Sequence, residues 1–246
     1  MLNSFLHYLF CLLCFMLCAA PSLADAPNRA SIGLYANYSN YLQAIPHDIK
    51  KHFVFHTEAP DPWVVLSFDD GPLANTDELM EVLQEYNAPA SFFVVCNQLQ
   101  GAHKDWYDDP LFTFGIHSYS HRDYSDMSLE EINADIGRCQ SRLDELDMHS
   151  YYFRPTYGII SQALVEALEQ AKLWGILWNI DSLDWDGLHG IELREQVKNS
   201  LSPGSIILFH DQVASDDLRH VIEDIREEGY SIVPLRRVLR YRNIVP

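Results

Sequence analysis

Residues 64–72, VVLSFDDGP, contain the first group that could do chemistry. A run of apolar and β-branched residues ends there in two adjacent carboxylates, Asp69 and Asp70. Two negative charges at the edge of a hydrophobic core repel each other and lose hydration. Such a pair is tolerated when a cation, a hydrogen-bond donor or a raised pKa accompanies it. We therefore expect the fold to bring one of these to Asp69 and Asp70.

His117 and His121, in the segment HSYSH, form the second reactive group. On one helical turn, side chains four residues apart point the same way and can share a metal ion. The spacing alone is weak evidence, because His52 and His56 in HFVFH share it; we interpret that pair as structural, since it lies in an apolar alternation without an acidic motif. Two imidazoles and one carboxylate form a common open metal site, so a divalent cation near Asp69 and Asp70 would explain both groups.

Further polar residues follow other strand-like segments at their C-terminal ends. They are Arg154 in YYFRPTYG, Asp181 and Asp184-Trp185 in LWNIDSLDW, and His210-Asp211 in SIILFHD. In parallel α/β folds the C-terminal ends of the strands share one face, where active sites are built. Scattered surface polar residues would not show this bias, so the pattern predicts one site.

The apolar pattern from residue 63 onward alternates between strand-like and helix-like periods. The predicted strands are 64–68, 90–95, 111–116, 151–153, 173–180, 205–209 and 231–235. Amphipathic stretches lie between them, one of them opened by the capping-box pattern SLEE at 128–131. About seven mostly parallel strands alternating with helices predict an α/β fold, either an incomplete (β/α) barrel or an open doubly wound sheet. We predict one domain over 63–246, with 25–62 as an N-terminal extension.

The composition limits the classes of partner. Hydrophobic residues make up 48% of the 246 residues, which is enough for a substantial core. The formal net charge of −18 argues against binding nucleic acid or an anionic membrane surface through charge. It fits a soluble protein, which we expect to be a monomer with a neutral or cationic ligand, although solubility alone would also explain it.

The first 24 residues predict export. They contain no charged side chain and end in Ser22-Leu23-Ala24, the small-x-small pattern of a signal-peptidase site. We predict a signal peptide over 1–24, atypical in its uncharged start, no integral membrane span in the mature form, and a periplasmic or secreted location. An uncleaved anchor is the alternative. Cys96 and Cys139 remain after removal of this segment and form either a disulfide or two buried thiols.

Five segments together resemble the NodB-like polysaccharide deacetylases of carbohydrate esterase family four. SFDDGP, HSYSH, FRPTYG, DSLDW and LFHD correspond, in order, to the five motifs of that family over about 150 residues, and EYNAPASFFVV is similar to the family's stretch after its first motif. The resemblance implies a distorted (β/α) barrel. It also implies hydrolysis of N-acetyl groups on amino-sugar polymers with one divalent ion, zinc or a similar metal such as cobalt.

Carried over by position, the resemblance also implies roles for individual residues. Asp70, His117 and His121 would hold the metal. Asp69 would be the general base for the attacking water, and Arg154 would keep it ionised. The remaining implied roles are the general acid (His210), its orienting carboxylate (Asp184), a less certain supporting acid (Asp181), the backbone N–H for the oxyanion together with a substrate contact (Tyr157), and the walls of the substrate groove (Trp185 and Leu208).

Departures from the family pattern are few. Thr156 stands where a second proline is frequent, Cys96 stands where a glycine is frequent, and DDPLFTFGIH lacks the usual acidic and glycine pattern. None touches an implied ligand or catalytic side chain.

Two alternative functions are less well supported by these motifs. A non-catalytic glycan-binding module on the same barrel would be expected to have lost Asp69, a metal histidine or His210, and all are present. A metal-dependent phosphoesterase would need a glycine-rich phosphate cradle or a basic cluster, which these motifs lack. The polymer itself is left open among peptidoglycan, chitin-type chains and an exopolysaccharide.

Overall fold

The computed structural model describes residues 45–57 and 59–241. The signal peptide predicted at 1–24 and most of the predicted extension lie outside this range. Within it, no helix is both long enough and apolar enough to cross a membrane.

The described part of the chain forms one curled sheet of parallel strands. In chain order these are β1 (Phe53–Val54), β2 (Trp63–Asp69), β3 (Ala90–Val94), β4 (Phe112–Ile116), β5 (Tyr152–Phe153), β6 (Trp174–Ile176), β7 (Ile180–Asp181), β8 (Ser205–His210) and β9 (Ser231–Ile232). Their order across the sheet is β1-β6-β5-β4-β3-β2-β8-β7, and β9 pairs with the start of β2. The predicted class, an α/β distorted and incomplete (β/α) barrel, is confirmed.

Helices connect the strands, as a parallel sheet requires. They are α1 (His47–Lys50), α2 (Thr76–Glu85), α3 (Lys104–Tyr107), α4 (Leu129–Glu145), α5 (Gln162–Ala171), α6 (Gly190–Ser200), α7 (Ser215–Glu227) and α8 (Leu235–Tyr241), with short 3-10 turns at Cys96–Gln98, Gly101–His103, Thr156–Gly158 and Asp184–Asp186. Helix α4 begins with the predicted capping box, in which Ser128 and Glu131 each accept a backbone N–H bond from the other residue. Its apolar stripe is buried, as its spacing predicted.

A large part of the core lies on one face of the sheet, where β2, β3 and β8 run side by side. Phe68, Phe92 and Phe209 occupy neighbouring strands, and the Phe68 ring stacks on the other two with centroid distances of 5.1 and 5.5 Å. All three side chains are at most 1% exposed. Strands covered on both faces carry continuous apolar runs, which is why VVLSF and SIILF could be identified from sequence.

The prediction of a single strand at 173–180 was wrong. Residues in β6 pair with β5 and β1, whereas β7 pairs with β8 at the opposite end of the strand order. The chain between them crosses the opening of the barrel: the Leu177 N–H donates to Val54, and the Asn179 N–H donates to Ile206. An apolar run gives no sign of this crossing, because all of it is buried whichever strand it joins.

Two features of the fold complete the positioning of the site. Strand β1 belongs to the sheet although it lies in the segment assigned to the N-terminal extension, and it was missed because only two residues pair. Cys96 and Cys139 are joined by a disulfide, one of the two predicted alternatives, with a Cα separation of 5.3 Å. It connects the turn after β3 to the middle of α4.

Candidate metal centre and active site

The C-terminal ends of β2, β4, β5 and β8 bring the predicted site residues to one face. Asp69 ends β2, directly beside His210, which ends β8. His117 follows β4 and Arg154 follows β5, and these two strands also pair. Because all of these pairings are parallel, the residues that follow each strand meet at the same end of the barrel.

Asp70, His117 and His121 form a compact cluster. Oδ1 of Asp70 lies 2.9 Å from Nε2 of His121 and 3.5 Å from Nε2 of His117. One ligand atom from each residue lies within 4.8 Å of the others. A ring nitrogen of His117, Nδ1, is 2.9 Å from the carbonyl oxygen of Arg154. A carbonyl only accepts, so Nδ1 carries the proton and, in the neutral ring, Nε2 presents its lone pair to the cluster.

The four-residue spacing suggested that the two histidines lie on one helical turn, but in the structure they do not. His117 immediately follows β4, and the next residues form a turn rather than a helix. Ser118 and His121 have positive φ angles of 63° and 55°. Left-handed backbone at these two positions, rather than helical periodicity, turns the second imidazole back toward the first.

The donor set fits a divalent cation. Oδ1 of Asp70 is buried, and no donor among the described residues reaches it with hydrogen-bonding geometry. Burial would raise the pKa of Asp70, but contact with His121 and the charge of the surrounding imidazoles outweigh it and lower the pKa to about 2. Burial lowers the pKa of His117, against the opposing effect of Asp69 and Asp70. An ionised carboxylate and a neutral imidazole are the protonation states that metal ligands need.

Asp69 is held by Arg154. The Arg154 Nη1 lies 2.7 Å from Oδ1 of Asp69, and both side chains are buried. The other guanidinium nitrogens donate to Ser67 Oγ and to the carbonyl oxygens of Ile176 and Leu177. Oδ2 of Asp69 is 3.8 Å from Nε2 of His117. One oxygen of Asp69 is therefore fixed by the guanidinium, while the other faces the cluster.

His210 and Asp184 form a second, partly buried pair. Nδ1 of His210 lies 2.9 Å from Oδ1 of Asp184, and the backbone N–H of His210 donates to Oδ2 of the same carboxylate. Burial lowers the pKa of His210, but the bond to Asp184 and its charge outweigh burial and raise the pKa to about 9. The imidazole therefore holds a proton at neutral pH.

The remaining predicted site residues differ in exposure. Tyr157 is 41% exposed, has a φ of 58°, and its ring meets the His121 ring edge-on at 5.0 Å. Trp185 is half-buried, and its indole N–H donates to Oδ1 of Asp181, a carboxyl whose pKa is raised by burial. Leu208 is only 1% exposed in the middle of β8, so its side chain packs in the core and offers little surface to a ligand.

Sequence reasoning assigned no role to Asp211. Its side chain is fully buried and accepts a hydrogen bond from the Thr76 hydroxyl. It also lies against Gly71, where a Cβ would come within 2.0 Å of Oδ2 of Asp211. Burial raises the pKa of Asp211 to about 7. The only signal for this residue in the sequence is its place directly after His210, and its contact with the turn after Asp70 depends on β2 and β8 being neighbours.

Comparisons with known proteins agree with this geometry. The family model described as polysaccharide deacetylase matches residues 56–175. The chain is 27% identical over 186 residues to the peptidoglycan-N-acetylmuramic acid deacetylase PdaC of Bacillus subtilis, a match that covers 71% of this chain and 38% of that protein. It is 25% identical over 194 residues to a chitooligosaccharide deacetylase of Azorhizobium caulinodans, covering 70% of this chain and 92% of the relative.

A solved structure gives the same result in three dimensions. The crystal structure of a peptidoglycan N-acetylglucosamine deacetylase superposes with a TM-score of 0.71 at 25% identity, over 76% of this chain and 92% of that one. The fold and the site together define an incomplete α/β barrel with a candidate metal site at its C-terminal face. The similarity of this chain to polysaccharide deacetylases, in sequence and in fold, confirms the resemblance found in its five motifs.

Proposed function

We propose that this protein is a metal-dependent hydrolase that removes N-acetyl groups from an N-acetylglucosamine-containing polysaccharide or oligosaccharide. The observation that carries the proposal is the placement of two differently held groups at adjacent strand ends: Asp69 on its arginine and His210 on its aspartate. Metal-assisted amide hydrolysis requires a base and a protonated acid beside the metal site.

Asp70, His117 and His121 would hold one metal ion. Two imidazole nitrogens and a carboxylate suit zinc, and cobalt can take its place. When bound, such an ion polarises an amide carbonyl and lowers the pKa of water toward about 7. No further side chain is needed in this ligand set, because three protein ligands leave coordination positions open for water and substrate.

Asp69 takes a proton from the water whose oxygen bonds to the acetyl carbon, and Arg154 holds the carboxylate in place through the bond from Nη1 to Oδ1. The backbone N–H of Tyr157 donates to the oxyanion that forms on the carbonyl oxygen. His210 then gives its proton to the sugar nitrogen as the C–N bond breaks, because an amine anion is too poor a leaving group. The products are acetate and a free amino sugar, and Asp184 stabilises the imidazolium before the transfer.

According to their names, the relatives reported above act on different glycans. The substrate of this protein therefore has to be determined by experiment. Acetate release should be measured from peptidoglycan, chitin oligomers and an N-acetylated exopolysaccharide, with zinc, with cobalt and with a chelator. We expect release from at least one substrate, loss of release with the chelator, and no release by Asp69→Asn. Glycan binding without acetate release from any substrate would favour the non-catalytic binding module instead.

Trp185 and the exposed ring of Tyr157 are proposed to contact the sugar, a role suited to flat aromatic surfaces. Leu208 would act only from beneath this surface, given its burial. The predicted export to the periplasm or exterior and the monomeric state belong to the same proposal. Acetylated cell-wall and secreted glycans are found in those compartments.

A further inference from the structure

The loop that carries both metal-ligand histidines depends on contacts from outside itself. Residues 117–121 leave β4, adopt left-handed backbone at Ser118 and His121, and return toward Asp70. Left-handed conformations are unfavourable for residues other than glycine and persist only where surrounding contacts fix them. The groups that fix this loop should therefore also determine how well the two imidazoles are placed.

Asp135 on α4 supplies the most central of these contacts. Its side chain is fully buried, and its Oδ2 accepts the backbone N–H of Tyr119 at 2.8 Å and the hydroxyl of Tyr124 at 2.6 Å. Oδ1 accepts from the Arg138 guanidinium at 2.9 Å. Tyr119 is the middle residue of HSYSH, two positions from each histidine.

The donors around this carboxylate are themselves fixed. Tyr124 is buried, and burial together with the Asp135 charge raises its pKa, so its phenol remains a donor. On the other side of the loop, the Cys96 N–H donates to the Ser118 carbonyl at 3.1 Å and the Asn97 N–H donates to the Tyr119 carbonyl at 2.9 Å. Both the N–H and the C=O of Tyr119 are therefore hydrogen-bonded, and the partner of the N–H is a carboxylate on a separate element, helix α4.

We propose that Asp135 is a positioning residue for the metal centre: it anchors the Tyr119 peptide and thereby holds His117 and His121 at the separation that one ion requires. Charge-assisted bonds to a backbone N–H are short and strong, so the carboxylate defines the loop position better than a neutral group would. Outer contacts of metal ligands commonly affect metal affinity by about 10- to 100-fold. The proposal rests on the metal site within the proposed function, and not on the identity of the glycan.

The test measures metal binding without any glycan. Zinc affinity is obtained by competition with a chromophoric chelator, and the visible spectrum of the cobalt-loaded protein reports ligand geometry. We expect Asp135→Asn to weaken zinc binding by about tenfold and to change the cobalt spectrum. The amide oxygen can accept from both Tyr119 and Tyr124 only when the amide NH2 group faces the Arg138 guanidinium, which is also a donor. Asp144→Asn, at an exposed position of the same helix, should change neither quantity.

A purely structural role gives a different result. If Asp135→Asn lowers the melting temperature of the metal-free protein but leaves the zinc affinity and the cobalt spectrum unchanged, the proposal is overturned. If that variant does not fold, Tyr124→Phe decides, since it removes one hydrogen bond and retains the ring: it should weaken zinc binding by a smaller factor, and an unchanged affinity would overturn the proposal. Zinc binding without acetate release would instead contradict the deacetylase function and leave this inference standing.

Discussion

The guanidinium of Arg154 and the carboxylate of Asp69 form a buried ion pair, with 2.7 Å between Nη1 and Oδ1 and less than 5% exposure of either side chain. The pair joins the third motif of the chain to the first across the barrel. The main chain of Arg154 adds a second link, because its carbonyl accepts from Nδ1 of His117. One residue therefore fixes the proposed base through its side chain and one proposed metal ligand through its backbone.

Replacing Arg154 with methionine should destabilise the protein by about 3–5 kcal/mol, because the Asp69 carboxylate would remain buried without its partner. The free energy of unfolding should be measured in urea on metal-free protein. Lys198→Met provides the control: Lys198 and Glu228 are also 2.7 Å apart, but their side chains are 40% and 43% exposed. That change should cost no more than about 1 kcal/mol, and equal losses in the two variants would contradict the importance of burial.

The pH dependence of activity should follow the His210–Asp184 pair. Asp184 raises the pKa of His210 to about 9, against burial, so the protonated imidazole is present below this value and is lost as the pH rises through it. In Asp184→Asn only the effect of burial and weaker charges remain, and the alkaline limb of kcat/KM should move to lower pH. Asp186→Asn, an exposed position on the same 3-10 turn, should leave the limb in place. An unshifted limb in Asp184→Asn would exclude His210 as the acid that the profile reports.

Zinc should stabilise the folded protein through His121. A ligand that binds only the native state at 100 times its Kd contributes about 2.7 kcal/mol, which raises the melting temperature of a domain of this size by roughly 5–10 °C. The increase should disappear in His121→Ala. It should persist in His52→Ala, since His52 has the same four-residue spacing to another histidine but lies next to Glu169, with 3.3 Å between Nδ1 and Oε1. A zinc response that survives in His121→Ala would refute the ligand assignment.

The Cys96–Cys139 disulfide should contribute substantially to stability. It joins residues separated by 43 positions, and both proposed metal-ligand histidines lie within that loop. The chain-entropy relation predicts a loss of about 4 kcal/mol when Cys96 and Cys139 are both replaced by serine. Reduction of the wild-type protein should lower the free energy of unfolding by a similar amount and should have no effect on the double variant. Equal stability of oxidised and reduced wild-type protein would contradict this expectation.

Local patterns in the sequence predicted the ends of the central strands better than they predicted the path of the chain between strands. The segments that end β2, β4, β5 and β8 could be found because buried parallel strands have continuous apolar runs, and a polar residue after such a run stands out. The same property concealed the break between β6 and β7, since Leu177 and Trp178 are buried while the chain crosses from one end of the sheet to the other. The burial of Leu208 could not be predicted either, because apolar periodicity does not distinguish a residue that lines a groove from one in the core.

The amino-acid sequence by itself determined the chemistry available to this protein: two adjacent carboxylates, a pair of imidazoles, an arginine and a histidine–aspartate pair, each placed after a strand. Only the tertiary structure decided which of these groups touch, and it added Asp135 and Asp211, whose partners are distant in the chain. Residue types and short-range periods are local properties, and so they are legible in the sequence. Contacts such as those of Asp211 with Thr76 and of Asp135 with Tyr119 depend on how separate elements pack, and that packing is settled by the whole core at once.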